Sequence, residues 1–393
     1  MLQLADILQR HGPAYVHRHD AGLLPSHRRA MQAVLHCRTP LMGGHIAACT
    51  QCGGEHLLFH SCRHRACPRC GHEATARWTA QQRELLLPVP YFHVVFTLPA
   101  ELRLLVRTHQ KTLLPVLCRA AFEALAALCA DPKYLGGQIG ALAVLHTWTR
   151  ALMWHPHVHM LVPGGALAPD GRTWLPLPKR RKLYLVPVHA LAERFRGRFL
   201  DLARRALPQV SFPQIPWEKR WVVFAKPVVH DAGKVIDYLG RYVFKTALAG
   251  KAIVGCDDTT VTFTYRDNRD QRRKTMTLPA DEFLRRFLQH VPPKGLHRVR
   301  TFGLLHPSQR DKLRGLQLLL ASRASPAPEA APAARPAPRC PHCGSSALRL
   351  VRRLRWEERI LLARAADNDE TPALQRARAP PPDLAAHASS GRG

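Results

Sequence analysis

Acidic side chains are scarce: the 393 residues carry 28 Asp and Glu against 58 Lys and Arg, a formal charge of +30. An excess of that size exceeds what solubility needs and makes a polyanion, nucleic acid before any other, the expected partner. No apolar run of the ~18 residues that a membrane span requires stands out, and no isolated basic amphipathic helix suggests a membrane surface. The opening MLQLADILQRHGPAYV lacks the basic leader and long apolar stretch of a signal peptide; secretion is not expected. Neither a GxxxxGK[ST] phosphate loop nor a G-x-S-x-G elbow occurs, which disfavours ATP-driven chemistry and a catalytic-triad hydrolase. No internal repeat is visible. What is present is ample apolar material, 46% of the chain, so wholesale disorder is excluded, and the length predicts two to three domains of about 100–200 residues.

Cysteine is uneven. Of eleven, six fall between Cys37 and Cys70, Cys340 and Cys343 form a C-x2-C pair, and Cys118, Cys129 and Cys256 stand alone. Without an export signal a disulfide framework is not expected, and clustered thiols read as metal ligands. Cys49/Cys52 and Cys67/Cys70 are two C-x2-C pairs with fourteen residues between them. That is the pattern of a four-thiolate zinc site, each knuckle turning both sulfurs to one tetrahedral ion. Gly53 and Gly71 follow the second thiolate of each pair and let the backbone turn around the metal. Cys37 and Cys62 remain, with His45, His60, His64 and His72 nearby; they make either a second zinc site or simply buried thiols. Sites saturated by protein ligands have no open position for chemistry, so this block reads as scaffold and DNA contact. Arg63, Arg65, Arg69 and Arg77 either meet phosphate there or form a solvated face. Cys340-Pro-His-Cys343 reads as half of a knuckle, completed by something else.

Periodicity and composition divide the chain into a helical segment 1–36, a zinc-binding block 37–88, a domain 89–316, a Pro/Ala-rich linker 317–339 and a largely disordered tail 340–393. Within the third, YFHVVFTLP, ALAVLHTWT, HVHMLVPGG and WVVFAKPV read as strands, and VTFTYRD with KTMTLP as a hairpin. Helices are expected at 101–130, with a break at Pro115, at 188–206, in VIDYLGRYVFKTAL and in DEFLRRFLQHV. Strands and helices alternate irregularly, which predicts an α+β domain around one sheet.

The chemistry concentrates in two stretches. Alternate residues of a strand share a face, so His157 and His159 project together while Val158 and Met160 enter the opposite layer. Two imidazoles with Cα atoms ~6–7 Å apart can hold one divalent ion. Pro156 favours a strand that begins near His157, leaving His155 a poorer ligand; His146, on the preceding strand, is the candidate third. Such histidines equally suit packing and hydrogen bonding. Tyr238 and Tyr242 are four apart on a helix and share a face, about one turn from each other. Paired tyrosines commonly pack; flanked by Arg241 and Lys245 they also suit nucleophilic attack on a phosphodiester. A phenol with its ordinary pKa near ~10 needs a neighbouring cation such as Lys245, or a metal, to lose its proton.

The order of thiols, PVPYFHVVFTLPAEL, HPHVHMLVPGG, YLGRY and RRKTMTLPADEFLRRFLQHVPPKG resembles the two-tyrosine HUH (His, hydrophobic, His) transposases of bacterial rolling-circle insertion sequences, over roughly His36 to Leu316. The resemblance implies an HUH-type endonuclease domain with a central antiparallel sheet, preceded by a small zinc-binding module. It implies that His157 and His159 hold a catalytic Mg²⁺ or Mn²⁺, that Tyr238 and Tyr242 are the nucleophiles, and that zinc is structural. The expected reaction is nicking and rejoining of single-stranded DNA at element ends through a 5′-phosphotyrosine, in the cytoplasm at the nucleoid. Many relatives place a histidine before the second knuckle, where this chain has Ala66. Imidazole donors favour softer ions than Mg²⁺, which leans the choice toward Mn²⁺. Trp148, Trp154 and Trp174 are either base-stacking platforms or core. A non-enzymatic zinc-dependent DNA-binding regulator explains charge and thiols but neither HVH nor YxxxY; a replication initiator or relaxase shares the chemistry with another recognition module.

Overall fold

The computed structural model describes residues 2–178, 184–215, 218–228, 232–243, 248, 252–267, 270–322 and 339–367. In chain order these form α1 (Leu4–His19), α2 (Pro25–Leu35), β1 (Gly44–Cys49), β2 (Glu55–Phe59), α3 (Gly71–Arg83), β3 (Tyr91–Thr97), α4 (Arg103–Thr108) and α5 (Gln110–Ala130). Then come β4 (Gly140–Trp148), β5 (Trp154–Pro163), β6 (Gly165–Leu167), β7 (Trp174–Pro176), α6 (Val188–Ala206), β8 (Val222–Val228) and α7 (Ala232–Val243). The remainder is β9 (Ile253–Cys256), β10 (Thr260–Arg266), β11 (Arg273–Pro279), α8 (Ala280–Leu288), β12 (Val299–Gly303), α9 (Arg310–Ala321), β13 (Leu348–Arg353) and α10 (Trp356–Asp367). The contacts separate two units, one of Met1–Gly71, Ala249–Val261 and Ala330–Gly393, the other of His72–Leu248 and Thr262–Glu329.

The larger unit is α+β, built on a five-stranded antiparallel sheet of order β12-β4-β5-β3-β8. Period-two alternation sorts its side chains cleanly. Phe92, Val94, Phe96, Ala141, Ala143, Leu145, Val158, Met160 and Val162 enter one core with the apolar stripes of α5 and α6. Tyr91, Leu142, Val144 and Leu161 enter a second with Ile236, Leu239 and Val243 of α7 and Leu313 and Leu316 of α9. The sheet thus carries a helical layer on each face.

Four local expectations are corrected here. The helix over 101–130 breaks at His109, between α4 and α5, whereas Pro115 sits inside α5. That helix is also long and apolar enough to cross a membrane, a run the sequence reading missed; one side of it is buried in the core beside α6. Strand β5 begins at Trp154 and runs through Pro156. Its register against β4 slips between the pairs His146↔His157 and Trp148↔Trp154, so the proline occupies a bulge, where a missing ladder donor is tolerated. Finally, α9 extends to Ala321, into the stretch assigned to the linker.

Below α8, the His290 ring is buried, stacked on Trp154 at 6.0 Å and 12°, and its Nε2–H donates to the Leu152 carbonyl at 3.1 Å. Burial drives its pKa from 6.5 down to about 3. The folded chain therefore resists a proton that the unfolded chain accepts. This contribution is intact above pH 6.5 and is lost as the pH falls toward about 3. Denaturation midpoints of the wild type should fall more steeply between about pH 6.5 and 4 than those of His290→Gln; parallel curves would refute the assignment.

The smaller unit pairs α1 with α2 and carries a three-stranded sheet of order β13-β1-β2. Arg10 of α1 donates to the Cys256 carbonyl at 3.2 Å and pairs with Asp258 at 2.5 Å. Helix α10 returns to the turn at 40–42, Arg359 Nε donating to the Pro40 carbonyl at 3.2 Å. The tail, expected to be largely disordered from residue 340, thus supplies a strand and a helix; residues 368–393 lie outside the described ones.

Candidate active site and metal centres

The face of the large sheet that meets α7 also collects imidazoles. His146 of β4 and His157 of β5 are register partners, and His159 follows on the same face of β5. Donor nitrogens of all three lie within 4.8 Å of one another. Their ring centroids are 4.2 Å (His146–His159), 4.9 Å (His157–His159) and 5.2 Å (His146–His157) apart. Burial lowers the His157 pKa to about 4 and those of His146 and His159 well below the usual value, so at neutral pH the rings are uncharged and offer lone pairs. His157 Nδ1–H donates to the His155 carbonyl at 2.7 Å, which leaves Nε2 as its acceptor. His155 itself is turned to the Arg103 guanidinium, 2.9 Å from Nδ1.

One participant was missed. His93 of β3 lies on the same face, its Nε2 2.8 Å from His159 Nδ1 and its ring stacked on that of His159 at 5.0 Å and 10°. Burial and the charge of Lys226, its register partner on β8, hold His93 at about 4. An imidazole bridged this way has its ring orientation and tautomer fixed, as outer partners of metal-bound histidines do. Three convergent neutral imidazoles suit a divalent ion of Zn²⁺ type better than Mg²⁺.

Helix α7 lies over this face because Ile236, Leu239 and Val243 recur at helical spacing and are buried. Between them Tyr238 presents its ring to His159, centroids 6.5 Å apart at 67°. Tyr242 lies one turn further along the helix, its side chain outside the described residues; Lys245 lies outside them altogether. The helix is seated by α3. Thr75 Oγ1 donates to the Gly240 carbonyl at 3.3 Å, and Arg83 pairs with Asp237 at 2.6 Å. A Cβ on Gly240 would stand 2.5 Å from Thr79 Cγ2 and 3.2 Å from Thr75 Cγ2. Gly240→Ala is therefore expected to lower stability by about 1–3 kcal/mol and to weaken activity by shifting α7. Thr79→Ser, which deletes the opposing methyl, should restore much of the melting temperature; no rescue would mean the glycine serves another purpose.

The thiols regroup. Cys37, Cys62, Cys67 and Cys70 converge within 4.8 Å, with Cys37–Cys70 and Cys62–Cys70 sulfurs 3.3 and 3.5 Å apart. A zinc tetrahedron with Zn–S near ~2.3 Å has edges of about 3.8 Å, so four buried or half-buried thiols at this spacing fit the ion. Cys49 and Cys52 do not join Cys67 and Cys70, as the knuckle spacing predicted; they meet Cys340 and Cys343, again within 4.8 Å. Of the flanking arginines, Arg69 is committed to the fold, donating to the Cys37 carbonyl at 3.0 Å and to Gln3. Trp148, Trp154 and Trp174 are buried and unavailable as stacking platforms. Cys118 and Cys129 are buried in α5.

Residues 7–98 match a family described as “Transposase zinc-binding domain”, and residues 140–312 one described as “Putative transposase”. The chain is 40% identical over 329 residues to “Putative transposase y4qJ” of Sinorhizobium fredii, covering 79% of this chain and 82% of that one. It is 30% identical over 311 residues to the transposase for insertion sequence element IS801 of Pseudomonas savastanoi pv. phaseolicola, covering 73% and 72%. No solved structure matches it.

Proposed function

The chain belongs to the rolling-circle insertion-sequence transposases with an N-terminal zinc-binding domain, and from that membership we propose that it cuts and rejoins single-stranded DNA at element ends through its own tyrosines. The observation that carries this reading is the convergence of His146, His157 and His159 on one sheet face, with the Tyr238 ring beside His159. A divalent cation held by those imidazoles would supply charge to the non-bridging oxygens of a scissile phosphate.

The chain's own residues do the rest. Tyr238 or Tyr242, once deprotonated, attacks phosphorus in line. Its oxygen forms the new bond to the 5′-phosphate, and the departing 3′-oxygen takes up a proton to become a hydroxyl. Lys245 favours the phenolate by its charge. His93 holds the His159 ring in place. Strand rejoining reverses the step, a 3′-hydroxyl displacing the tyrosine. Bond energy is conserved in the phosphotyrosine, so no nucleotide hydrolysis is needed. The +30 charge draws the DNA by counterion release, in keeping with action on DNA in the cytoplasm at the nucleoid.

Incubating the protein with single-stranded DNA of an element end and Mn²⁺ or Mg²⁺ should yield a protein–DNA adduct on a denaturing gel. Its absence with every metal would favour a DNA-binding regulator.

A further inference from the structure

CTQCGG at 49–54 and CPHCGS at 340–345 are the same local object. In the first, Gly53 N–H donates to the Cys49 carbonyl at 2.9 Å and Cys49 N–H to the Gly54 carbonyl at 2.9 Å. In the second, Gly344 N–H donates to the Cys340 carbonyl at 2.9 Å and Cys340 N–H to the Ser345 carbonyl at 2.7 Å. The glycine after the second cysteine is left-handed in both, at φ 70° and 74°, a conformation that glycine adopts without strain. Cys67–Cys70 is built differently, since Gly71 opens α3 instead of turning.

The two knuckles face each other. Cys49–Cys343 and Cys52–Cys340 sulfurs are each 3.6 Å apart, close to the ~3.8 Å edge of a zinc tetrahedron. His56 Nε2 lies 3.1 Å from Cys340 Sγ, placed to donate to a thiolate from outside the tetrahedron. Strands leaving the knuckles continue the pairing: Thr50 N–H donates to the Ala347 carbonyl at 2.9 Å, and β1 pairs β13 from Cys49↔Leu348 to His45↔Arg353.

We propose that Cys49, Cys52, Cys340 and Cys343 bind a second structural zinc, separate from the Cys37 cluster, which clasps the segment after residue 339 onto β1. Cys340 and Cys343 lie outside the residues matched by either family. The clasp is the more open of the two sites: Cys52 and Cys343 are exposed, whereas no thiol of the Cys37 cluster is. Its zinc is accordingly the first to leave.

The test is metal analysis of the full chain produced with zinc sulfate and carrying His157→Ala/His159→Ala, so that the imidazole cluster adds no zinc to the count. Two zinc ions per chain are expected, falling to one in Cys340→Ser/Cys343→Ser and staying at two in Cys256→Ser. X-ray absorption should show sulfur-only shells. Should the cysteine variant fail to fold, a mercurial titration of that chain with its thiols intact keeps the question open to refutation. One zinc should be released in a fast phase, and peptide mapping should place Cys49, Cys52, Cys340 and Cys343 among the fast thiols. One zinc in the chain with its thiols intact, two in Cys340→Ser/Cys343→Ser, or Cys67 and Cys70 in the fast set would overturn the proposal. So would disulfides between the knuckles, or a shell of three sulfurs and one nitrogen, which would hand a position to His56.

Discussion

Tyr238→Phe/Tyr242→Phe is expected to reduce covalent capture of single-stranded DNA by on the order of 10³-fold or more, because a lost nucleophile has no substitute in such chemistry. DNA affinity should be unchanged. Phenylalanine keeps each ring, and α7 is seated by Ile236, Leu239 and Val243 against the core, so the substitution removes only hydroxyls. Each single variant should still form an adduct through its remaining tyrosine. His159→Ala should also abolish adduct formation, and with it metal binding at the imidazole cluster. The pair of results separates loss of the attacking atom from loss of the charge that assists it. Full adduct yield from the double variant would remove the tyrosines from the mechanism.

The second large effect concerns Cys67, buried to 0% exposure within its cluster. Structural zinc in small domains contributes an apparent ~10–16 kcal/mol, far more than the apolar contacts of a three-stranded sheet can replace. Cys67→Ser should therefore strip zinc from the Cys37 cluster and unfold the smaller unit. The larger unit, with its own two cores, should keep its sheet. Circular dichroism with denaturant should show one transition lost and one retained. A variant that keeps both transitions and its full zinc content would show that this thiol is not a ligand.

Legibility in the sequence followed the range of the interactions. Local alternation revealed β3, β4 and β5, and helical spacing revealed α7. The imidazoles could be grouped because His157 and His159 lie two apart, and His146 belongs to a neighbouring strand. His93 sat in plain view in YFHVVFT, on the same face as Tyr91 and Val95, but its meeting with His159 depends on the register of β3 against β5, which no short-range pattern encodes. The proline in β5 was misread because proline signals a strand boundary unless a bulge accommodates it, and bulges depend on the partner strand. The break at His109 carries no proline or glycine to announce it. The thiols misled for a related reason. Two knuckles fourteen residues apart looked like natural partners, while the true counterpart of Cys49 lies 294 positions away. Glycine follows Cys52, Cys70 and Cys343 alike, so no local signal paired the first knuckle with the third.

Thr50 donates to the Ala347 carbonyl through both its backbone N–H and its hydroxyl, across 297 residues. During synthesis at about 5–20 residues per second, roughly 15–60 s separate the appearance of the two residues. Throughout that interval β1 has an unpaired edge and Cys49 and Cys52 lack counterparts, while the sheet of the larger unit gains its last strand, β12, about 45 residues before β13 is made. A prematurely terminated or proteolytically shortened product would thus hold the imidazole cluster and Tyr238 without a finished N-terminal unit. The smaller unit, in effect, acquires the third strand of its sheet only when synthesis is nearly over for the described residues.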